Sequence, residues 1–460
     1  MRQFQYHPAS YRDPAGFVFE LDGKLYRQIN NVYRTQYAQL MQSGCYDQLV
    51  NKGWLLPHTA LNNNPTGQPE AFCTIEPDRL FFISHPGEWS FDMLRDAALL
   101  TLSILRDSLN HELILKDATP FNIQFRNGKP VLIDTLSFEH YHGNEPWVAY
   151  RQFCEQFLAP LALMHYTGQS LQQLLLAYPE GIPVATAAAL LPRRSRWSLH
   201  INLHIHLHAR VSKRAGQATE QQQTAARTFS RSKLLNLISS LESAVSRCRL
   251  KEDTTAWSDY YTEAATRDGY LVAKKELVEK MIAAVPYVYT VADLGANDGL
   301  FARMAAEKGK QVIAADQDAA CINRFYKELK KEALPVQPLI LDLAAPTPAT
   351  GFRNKERASF ISRCNADLVL ALALVHHLAI GRNIPLPMAA AFFRDVSPWL
   401  IIEFVPAEDE KTKVLLAAKQ RAYPDYTEAG FEKAFGADFS IEQKNPVPHS
   451  NRILYLLKRN

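Results

Sequence analysis

The sequence predicts an α/β protein whose C-terminal part, residues 256–460, is an open sheet with helices packed on both faces. Three observations lead to this fold class. Five short and continuously apolar runs follow residue 256, amphipathic stretches separate them, and two further strand-like runs come after these. Continuous apolar runs are typical of strands buried on both faces. Strands that alternate with helices form parallel sheets with right-handed crossovers.

The five apolar runs are the candidate parallel strands. They end at Gly295, Asp316, Leu343, Leu374 and Val405. Apolar residues at helical spacing predict helices at 301–308, 319–331 and 386–394. The two later runs, within residues 439–459, are joined by a short connection, so they must pair antiparallel. The sequence therefore predicts a seven-stranded sheet of five parallel strands with a terminal antiparallel hairpin.

The composition is that of a globular protein with more than one domain. The chain has 460 residues, of which 47% are hydrophobic and 21% charged, and its formal net charge is +4. So small a charge gives no reason to expect a nucleic-acid partner. The longest apolar stretch is too short for a membrane span, and the first residues lack the apolar core of a signal peptide. Six cysteines without C-x-x-C spacing are typical of buried thiols, so we expect a cytoplasmic protein.

A change in composition near residue 210 predicts three parts of the chain. We expect an N-terminal α+β domain over residues 1–210, a basic polar linker with a connecting helix over 211–255, and the sheet domain over 256–460. Residues 193–233 contain nine Lys or Arg and one acid. Such a run is typical of a solvated linker, with an anionic partner as the alternative. Proteases should reach the linker near Gly216.

Three local patterns in the first 250 residues predict regular structure. A hairpin is expected over residues 17–29 with its turn at Asp22–Gly23, and a second hairpin turn is expected at Asn127–Gly128. A long helix is expected over residues 91–109. Leu234 to Val245 have apolar residues at helical spacing and predict the connecting helix.

The turn after the first parallel strand, D-L-G-A-N-D-G from Asp293 to Gly299, is the candidate ligand site. Gly295 and Gly299 permit a tight turn and close approach of a ligand, but the G-x-G-x-x-G of dinucleotide-binding proteins is absent. The next two strands end in Asp316, suited to the two hydroxyls of a ribose, and Asp342, suited to an adenine amino group. One such Asp is more often a helix cap. Acids at three successive strand ends, Asp293, Asp316 and Asp342, predict a nucleoside site.

The segments V-A-D-L-G-A-N-D-G, A-A-D-Q-D, L-D-L, A-D-L-V-L-A-L-A-L-V-H-H-L and I-I-E-F-V resemble, in this order, the motifs of class I S-adenosylmethionine-dependent methyltransferases. The resemblance implies a Rossmann-like methyltransferase sheet with S-adenosyl-L-methionine as cofactor. It implies that Asp316 binds the ribose and that Asp342 and Leu343 bind the adenine. The methionine part would be held by the first turn, at Asp293, Gly295, Ala296, Asn297 and Gly299. Asn297 departs from the glycine usual in the family, but Asn tolerates positive φ well, so the turn is retained.

The acceptor side is less distinctive. After the fourth strand the family's amine methylators often carry Asp/Asn-Pro-Pro-Tyr/Phe, whereas this sequence reads L-A-L-V-H-H-L, which disfavours an amine acceptor. His376 or His377 would be the general base for a hydroxyl or carboxyl acceptor, or else both pack over the cofactor or cap the next helix. Glu403, at the end of the fifth strand, would face the acceptor. Because methyl transfer depends mostly on in-line positioning, no catalytic side chain is required.

In the N-terminal part, Asp117, Asn122 and Asp134 are spaced so that the hairpin between them brings all three around one point. The arrangement resembles the catalytic loop and metal-binding Asp of kinases and aminoglycoside-type phosphotransferases. The resemblance implies Asp117 as the base, Asn122 and Asp134 as magnesium ligands, and Mg-ATP as a cofactor.

The same region departs from the kinase pattern at several positions. Leu115 stands in place of the loop His, and Thr135–Leu136 stand in place of Phe–Gly. No Gly-rich loop precedes the hairpin. Either Lys24 or Arg27 would have to serve as the phosphate-binding residue that is a lysine in kinases. An enzymatically silent recognition domain is therefore the alternative to an active phosphotransferase.

Two further groups of residues have a functional and a structural interpretation. Four histidines, at His200, His204, His206 and His208, alternate with Ile and Leu; they either bind zinc or lie on an amphipathic strand, and we favour the strand, with no metal. Upstream of the sheet domain, aromatic side chains either cover the ligand site or pack in a core: Trp257, Tyr260 and Tyr261.

The pattern of the whole chain, including G-E-W-S-F, L-K-D-A and I-D-T-L-S-F-E, resembles bacterial nodulation host-specificity-type methyltransferase proteins. The resemblance implies a methyltransferase that acts on a small-molecule or glycan acceptor, with an N-terminal domain that recognises the acceptor. A bifunctional phosphotransferase–methyltransferase and a non-catalytic binding module are the alternatives. The three strand-end acids argue against the binding module.

Overall fold

The computed structural model describes residues 4–215, 229–251, 269–419 and 421–460. The chain forms two compact units, each built from more than one segment. The first unit contains Met1–Leu80, His85–Lys251 and Thr350–Arg357, and the second contains Phe81–Ser84, Glu252–Ala349 and Ala358–Asn460. Helices and sheets occur in both units, as an α/β protein requires. The described residues include no helix that is long and apolar enough to cross a bilayer.

The first unit contains strands β1 to β9. Their bounds are Gln5–Tyr6, Gly16–Leu21, Lys24–Asn30, His58–Leu61, Ala71–Pro77, Leu113–Leu115, Ile123–Arg126, Lys129–Leu132 and Phe138–His140. The first five form an antiparallel sheet in the order β1-β2-β3-β5-β4, while β6 pairs with β9 and β7 with β8. Both hairpin turns named from the sequence are present, with positive φ at Asp22–Gly23 and Asn127–Gly128.

The helices of the first unit include one long and mostly buried helix, Phe91–Ser108. They span Arg34–Gln42, Cys45–Asn51, Phe91–Ser108, Tyr150–Phe153, Ala159–Thr167, Leu174–Ala177, Val184–Leu190, Leu199–Ile201, His208–Ala215 and Arg231–Arg247, with π-helical turns at Cys154–Leu158 and Asn202–Leu207. The connecting helix, Arg231–Arg247, lies in this unit, where its apolar face is buried and Glu242 pairs with Arg106 of the long helix at 2.5 Å. It is therefore part of a core, and Gly216 of the expected linker lies outside the described residues.

The predicted strand at His200–His208 is wrong, because the segment is helical. The buried residues Ile201, His204, Ile205 and Ala209 recur every three or four positions, which is the spacing of one helix face. Ile and Leu at every second position imitate the alternation of a strand. Since they also recur at every fourth position, the pattern fits both periods, and tertiary packing selects the helix.

The second unit contains strands β10 to β16. Their bounds are Thr290–Leu294, Gln311–Asp316, Val336–Ile340, Leu368–Ala371, Trp399–Phe404, Phe439–Pro446 and Ile453–Arg459. They form one sheet in the order β12-β11-β10-β13-β14-β16-β15, in which the first five are parallel and the last two join antiparallel. The helices are Tyr270–Ala284, Leu300–Glu307, Ala319–Glu332, Phe360–Arg363, Leu386–Val396, Glu410–Ala417 and Glu428–Phe435, with a π-helical turn at His377–Gly381.

The core of the second unit has two layers, one on each face of the sheet. Alternate residues of each strand enter opposite layers: Ala292 and Leu294 pack with one cluster and Val291 with the other. Successive side chains of a strand point to opposite faces. Burial of both faces is what makes the strands continuously apolar in sequence.

The strand order reverses between β10 and β13. From β10 the chain moves outward to β11 and β12, and then returns to β13 on the other side of β10. At such a point the loops that leave the two neighbouring strands run in opposite directions and open a crevice at their carboxyl ends. The topology therefore specifies where a ligand would enter the sheet.

Gly299 should be intolerant of a side chain. Its φ is +81°, and a Cβ there would lie 2.2 Å from the Phe325 ring. Gly299→Ala should destabilise the chain by about 2–4 kcal/mol through backbone strain and ring displacement. Gly309, with φ +79° and no atom within 4 Å of the added Cβ, is the matched control. Gly309→Ala should cost only about 1 kcal/mol. If urea denaturation shows that Gly299→Ala and Gly309→Ala lower the free energy of unfolding equally, the argument from the Phe325 contact is wrong.

Candidate functional site

A cavity of about 460 Å³ opens at the carboxyl ends of the parallel strands in the second unit. Most of its residues lie at the ends of β10, β11, β12 and β13 or just after them, on both sides of the point where the strand order reverses. The volume is in the range of small-molecule pockets. The lining residues are Lys274, Gly295, Asn297, Ala315, Asp316, Gln317, Leu341, Asp342, Leu343, Leu372, Ala373, Leu374, His377, Leu378, Gly381 and Arg382.

The turn after β10 is anchored to the neighbouring strand. The backbone N–H groups of Gly295 and Ala296 both donate to the Ala315 carbonyl, at 2.8 and 3.0 Å. Asn297 has φ +53°, so the residue that replaces the usual glycine does adopt the left-handed conformation. Gly295 and Asn297 line the cavity, while Ala296 is buried below it.

Asp316, the last residue of β11, reaches the cavity with its carboxylate fixed from two sides. One oxygen accepts the Asn297 N–H and the other accepts the Asp318 N–H, each at 2.8 Å. Burial raises the pKa of Asp316, and the two N–H groups oppose that rise. No cation pairs with this carboxylate among the described residues, so it remains available to hydroxyl donors.

Asp342, just after β12, lines the cavity beside Leu343. One carboxylate oxygen accepts the Ala344 N–H at 2.9 Å, and the other pairs with Arg382 at 2.7 Å. The Arg382 guanidinium also donates to Gln317 at 3.1 Å. Because the Arg382 side chain is 50% exposed, this ion pair is a weak one at the mouth of the cavity.

Asp293 does not reach the cavity. It is buried under the first turn, and one of its carboxylate oxygens has no hydrogen-bond partner. Burial, followed by repulsion from Asp316, raises the pKa of Asp293 to about 7. Gly299 also lies outside the lining and is instead the N-cap residue of the helix Leu300–Glu307.

Glu403 is fully buried behind the cavity wall and does not face an acceptor space. Its carboxylate accepts from Lys274 Nζ at 2.6 Å, from the Ala373 N–H at 2.7 Å and from the Tyr270 hydroxyl at 3.1 Å. Burial alone would raise the pKa of Glu403, but Lys274 and Arg452 outweigh it and the net pKa is lowered. The charged carboxylate thereby holds Lys274 at the cavity. It also fixes the turn at Ala373, whose φ is +49°.

Of the two histidines after β13, only His377 lines the cavity. His376 is buried with one ring nitrogen unpartnered, and the two rings are in contact at an interplanar angle of 42° with centroids 4.1 Å apart. Burial, with a contribution from Arg452, lowers the pKa of His377 to about 4. His377 is therefore neutral near pH 7, with proton-accepting capacity but low basicity.

Several lining residues were not anticipated from the sequence. Lys274 belongs to a helix before the first strand, and Arg382 follows β13 by eleven positions, so neither stands in a strand-end motif. A lysine in an amphipathic helix usually faces solvent, and only its burial at 2% exposure distinguishes this one. Trp257, Tyr260 and Tyr261 lie outside the described residues.

In the first unit, the structure brings Asp117, Asn122 and Asp134 together. The Asn122 amide donates to the two carboxylates, at 3.1 and 3.4 Å. Asp134 forms an ion pair with Arg27 of β3 and accepts from Ser137 at 2.6 Å. Burial opposes ionisation of Asp134, but Arg27 and Ser137 outweigh it, so its pKa is lowered. The charge of Asp134 is thus compensated internally by a guanidinium.

The histidines of residues 200–208 are held by neutral partners. The two ring nitrogens of His204 contact the Tyr150 hydroxyl at 2.9 Å and the Ser240 hydroxyl at 2.8 Å, and His206 contacts the Ser195 hydroxyl at 2.7 Å. Burial lowers the pKa of His204 to about 4. Among the described residues, no three His, Cys, Asp or Glu side chains form a group able to hold a metal ion.

An open parallel sheet with carboxylates and a glycine turn at its reversal point is typical of nucleoside-binding α/β proteins. The chain belongs to the family of nodulation protein NoeA of Rhizobium meliloti (strain 1021). It is 32% identical to that protein over 462 residues, which cover 98% of this chain and 95% of NoeA. No family model matches the chain.

Solved structures that resemble parts of the chain include WbdD crystallised with the kinase inhibitor LY294002, with 18% identity, 44% of this chain and 43% of that chain covered, and a TM-score of 0.30. Magnesium protoporphyrin IX methyltransferase ChlM from Synechocystis PCC 6803 with bound SAH has 19% identity, coverage of 42% and 85%, and a TM-score of 0.28. The 16S rRNA methylase RmtB has 18% identity, coverage of 48% and 83%, and a TM-score of 0.30. At these TM-scores the matches define neither the fold nor the activity of this chain.

Asp293 should make stability depend on pH. With a pKa of about 7 in the folded chain and an ordinary value of 3.8, the folded state binds one proton more than the unfolded state between these values. Stability then falls as pH rises, by about 1.4 kcal/mol per unit, until pH passes about 7. Asp293→Asn removes this dependence. In urea denaturation, the free energy of unfolding of Asp293→Asn relative to that of wild type should rise by about 2–3 kcal/mol from pH 5 to pH 8.

The exposed Asp395 provides the control for this measurement. Asp395→Asn should follow the wild-type pH dependence. If Asp293→Asn also follows it, the proton is not taken up at Asp293.

Proposed function

We propose that the chain is a class I S-adenosyl-L-methionine-dependent methyltransferase whose cofactor binds in the cavity of the second unit. The observation that supports this most is Asp316: a half-buried carboxylate at the end of the second parallel strand, open to the cavity and fixed by two backbone N–H groups. Each of its oxygens retains an acceptor position. A pair of adjacent ribose hydroxyls is the donor set that suits it.

The remaining lining residues suit the other parts of the same molecule. Leu341, Leu343 and Leu378 offer apolar surface for a purine ring, with Asp342 at its edge. Gly295 leaves backbone close to the cavity without a side chain. Lys274 also lines the cavity, and its ammonium, whose charge Glu403 balances, has N–H groups that can donate to the carboxylate of an amino-acid moiety. The residues present therefore fit an aminoacyl nucleoside.

When bound, the cofactor supplies an electrophilic methyl group. The part played by the chain is to bind, orient and exclude water. Leu372 and Leu374 give the cavity an apolar wall beside the turn that Glu403 fixes. The neutral His377 can accept a proton from a hydroxyl or carboxyl acceptor at the cavity. Glu403 is assigned as a positioning residue that acts through Lys274 and Ala373.

A small-molecule or glycan acceptor is the substrate class we favour. The segment after β13 lacks the Asp/Asn-Pro-Pro-Tyr/Phe pattern of amine methylators. The relative that is 32% identical to this chain is named a nodulation protein, and the resemblance in sequence points to the same group of proteins. A hydroxyl of a glycan is compatible with the neutral His377.

Calorimetric titration of the full chain tests the cofactor. S-adenosylmethionine and S-adenosylhomocysteine should both bind, and Asp316→Ala should weaken both by about 2–4 kcal/mol, because two hydrogen bonds from hydroxyls to a carboxylate are lost. Asp395→Ala, at an exposed carboxylate, is the control and should bind like wild type. A folded wild-type chain that gives no heat with either ligand would leave a non-catalytic binding module as the better description.

For the first unit we propose a kinase-like recognition domain for the acceptor, without Mg-ATP. The supporting observation is the Arg27–Asp134 ion pair, which places a fixed cation beside the carboxylate that would hold magnesium. An active site for phosphoryl transfer leaves that carboxylate to the metal. A bifunctional phosphotransferase–methyltransferase would require Arg27 to leave Asp134.

Thermal melting of the full chain separates these alternatives. Bound Mg-ATP at about a hundred times its Kd would add roughly 2.7 kcal/mol and raise the melting midpoint by several degrees. We expect no rise with Mg-ATP. Asp134→Asn should lower the midpoint without nucleotide, because it leaves Arg27 unpaired. A magnesium-dependent rise with ATP that Asp134→Asn abolishes would instead identify a working phosphotransferase site.

A further inference from the structure

The helical segment Leu199–Val211 of the first unit buries polar side chains beside its apolar ones and exposes several large apolar side chains. Its buried face contains His204 and His206, with exposures of 0% and 5%, whereas Leu199 and Val211 are 74% and 56% exposed. Polar groups normally occupy the exposed face of such a helix. The buried histidines and the exposed aliphatic residues therefore need separate explanations.

The buried side is accounted for by hydrogen bonds. The two ring nitrogens of His204 are engaged by the Tyr150 and Ser240 hydroxyls, and His206 is engaged by the Ser195 hydroxyl. Burial of these imidazoles is thus compensated. The exposed aliphatic side chains have no such compensation, because the contact of an apolar surface with water is unfavourable.

The exposed aliphatic residues form one continuous stripe. Leu199, Leu203, Leu207 and Val211 recur at every fourth position and are all exposed. In an α-helix this spacing drifts by about 40° per step. The π-helical turn at Asn202–Leu207 winds less per residue and reverses part of that drift. We refer to these four residues and Trp197, which is 92% exposed, as the apolar stripe.

The sequence on both sides of the apolar stripe is basic. Residues 181–219 contain six Lys or Arg and no Asp or Glu. Arg193, Arg196 and Arg210 are exposed, and none of these three forms an ion pair within the described ranges. Both Arg196 and Arg210 lie close enough to His206 to contribute, after burial, to lowering its pKa. These arginines therefore have no acidic neighbour within residues 181–219 of the sequence.

We propose that the apolar stripe is a docking surface for an anionic lipid bilayer. Exposed leucines with a tryptophan at one end and arginines beside them are the combination that binds at the interface of a membrane, where the apolar side chains enter the acyl boundary and the cations meet lipid phosphates. The helix lies in the interface and does not cross it. The unbalanced positive charge favours a bilayer over a second, equally basic copy of the same surface. This site is independent of the cofactor cavity.

Vesicle sedimentation of the full chain tests the docking surface. The chain should bind vesicles of phosphatidylcholine with phosphatidylglycerol and bind phosphatidylcholine alone much more weakly. Leu203→Ser/Leu207→Ser should lower the partition coefficient at least about tenfold. Arg196→Gln/Arg210→Gln should lower it about five- to tenfold and reduce its dependence on salt. Met388→Ser, at a 64% exposed apolar residue of the second unit, is the control and should bind like wild type.

Fluorescence gives a second readout, since Trp197 should enter a less polar environment and its emission should shift to the blue on binding. Trp197→Phe should remove that shift. Three kinds of outcome would overturn the proposal. One is equal binding by wild type and Leu203→Ser/Leu207→Ser, or no binding by a folded wild type. Another is a dimer, without vesicle binding, that the leucine substitutions dissociate. The third is a lowered melting midpoint for those substitutions without vesicle binding, which would mean that the chain itself covers the stripe.

Discussion

The reversal of strand order between β10 and β13 is the constraint on which the candidate site depends. Because the chain leaves these two neighbouring strands in opposite directions, a crevice opens at their carboxyl ends. The turn after β10 then has to bend sharply, which Gly295 and Asn297 permit with positive φ. Because the strands are parallel, the residues at their carboxyl ends, including Asp316, lie at the same edge of the sheet.

Features that depend on local pattern were predictable from the sequence. Four of the five apolar runs contain a strand of the structure, and the third overlaps β12, which begins and ends earlier than the run does. Asp316 and Asp342 line the cavity at or just after strand ends. Features that depend on packing between distant segments were not. Lys274 and Arg382 reach the cavity from outside the strand ends, and Glu403 turned out to be enclosed by cations. The helix at His200–His208 was missed because its apolar spacing satisfies both periods.

The two carboxylate sites of the chain differ in how their charge is compensated. Asp316 is held by backbone N–H groups, which orient it and leave its charge to be met by a ligand. Asp134 is held by the Arg27 guanidinium, which satisfies the charge within the first unit. Separating such an ion pair costs free energy, because it leaves a charge unpaired away from water. Glu403 resembles Asp134 in this respect, because Lys274 and Arg452 compensate its charge. It acts on the cavity only through its neighbours.

The position of a bound nucleoside is the most direct test of this account. A crystal structure of the full chain with S-adenosylhomocysteine should place the ribose hydroxyls within hydrogen-bonding distance of the Asp316 carboxylate, at about 2.5–3.0 Å. The amino-acid carboxylate should lie on the side of Lys274. A ligand bound elsewhere, or one in the cavity whose ribose avoids Asp316, would contradict the assignment of the site.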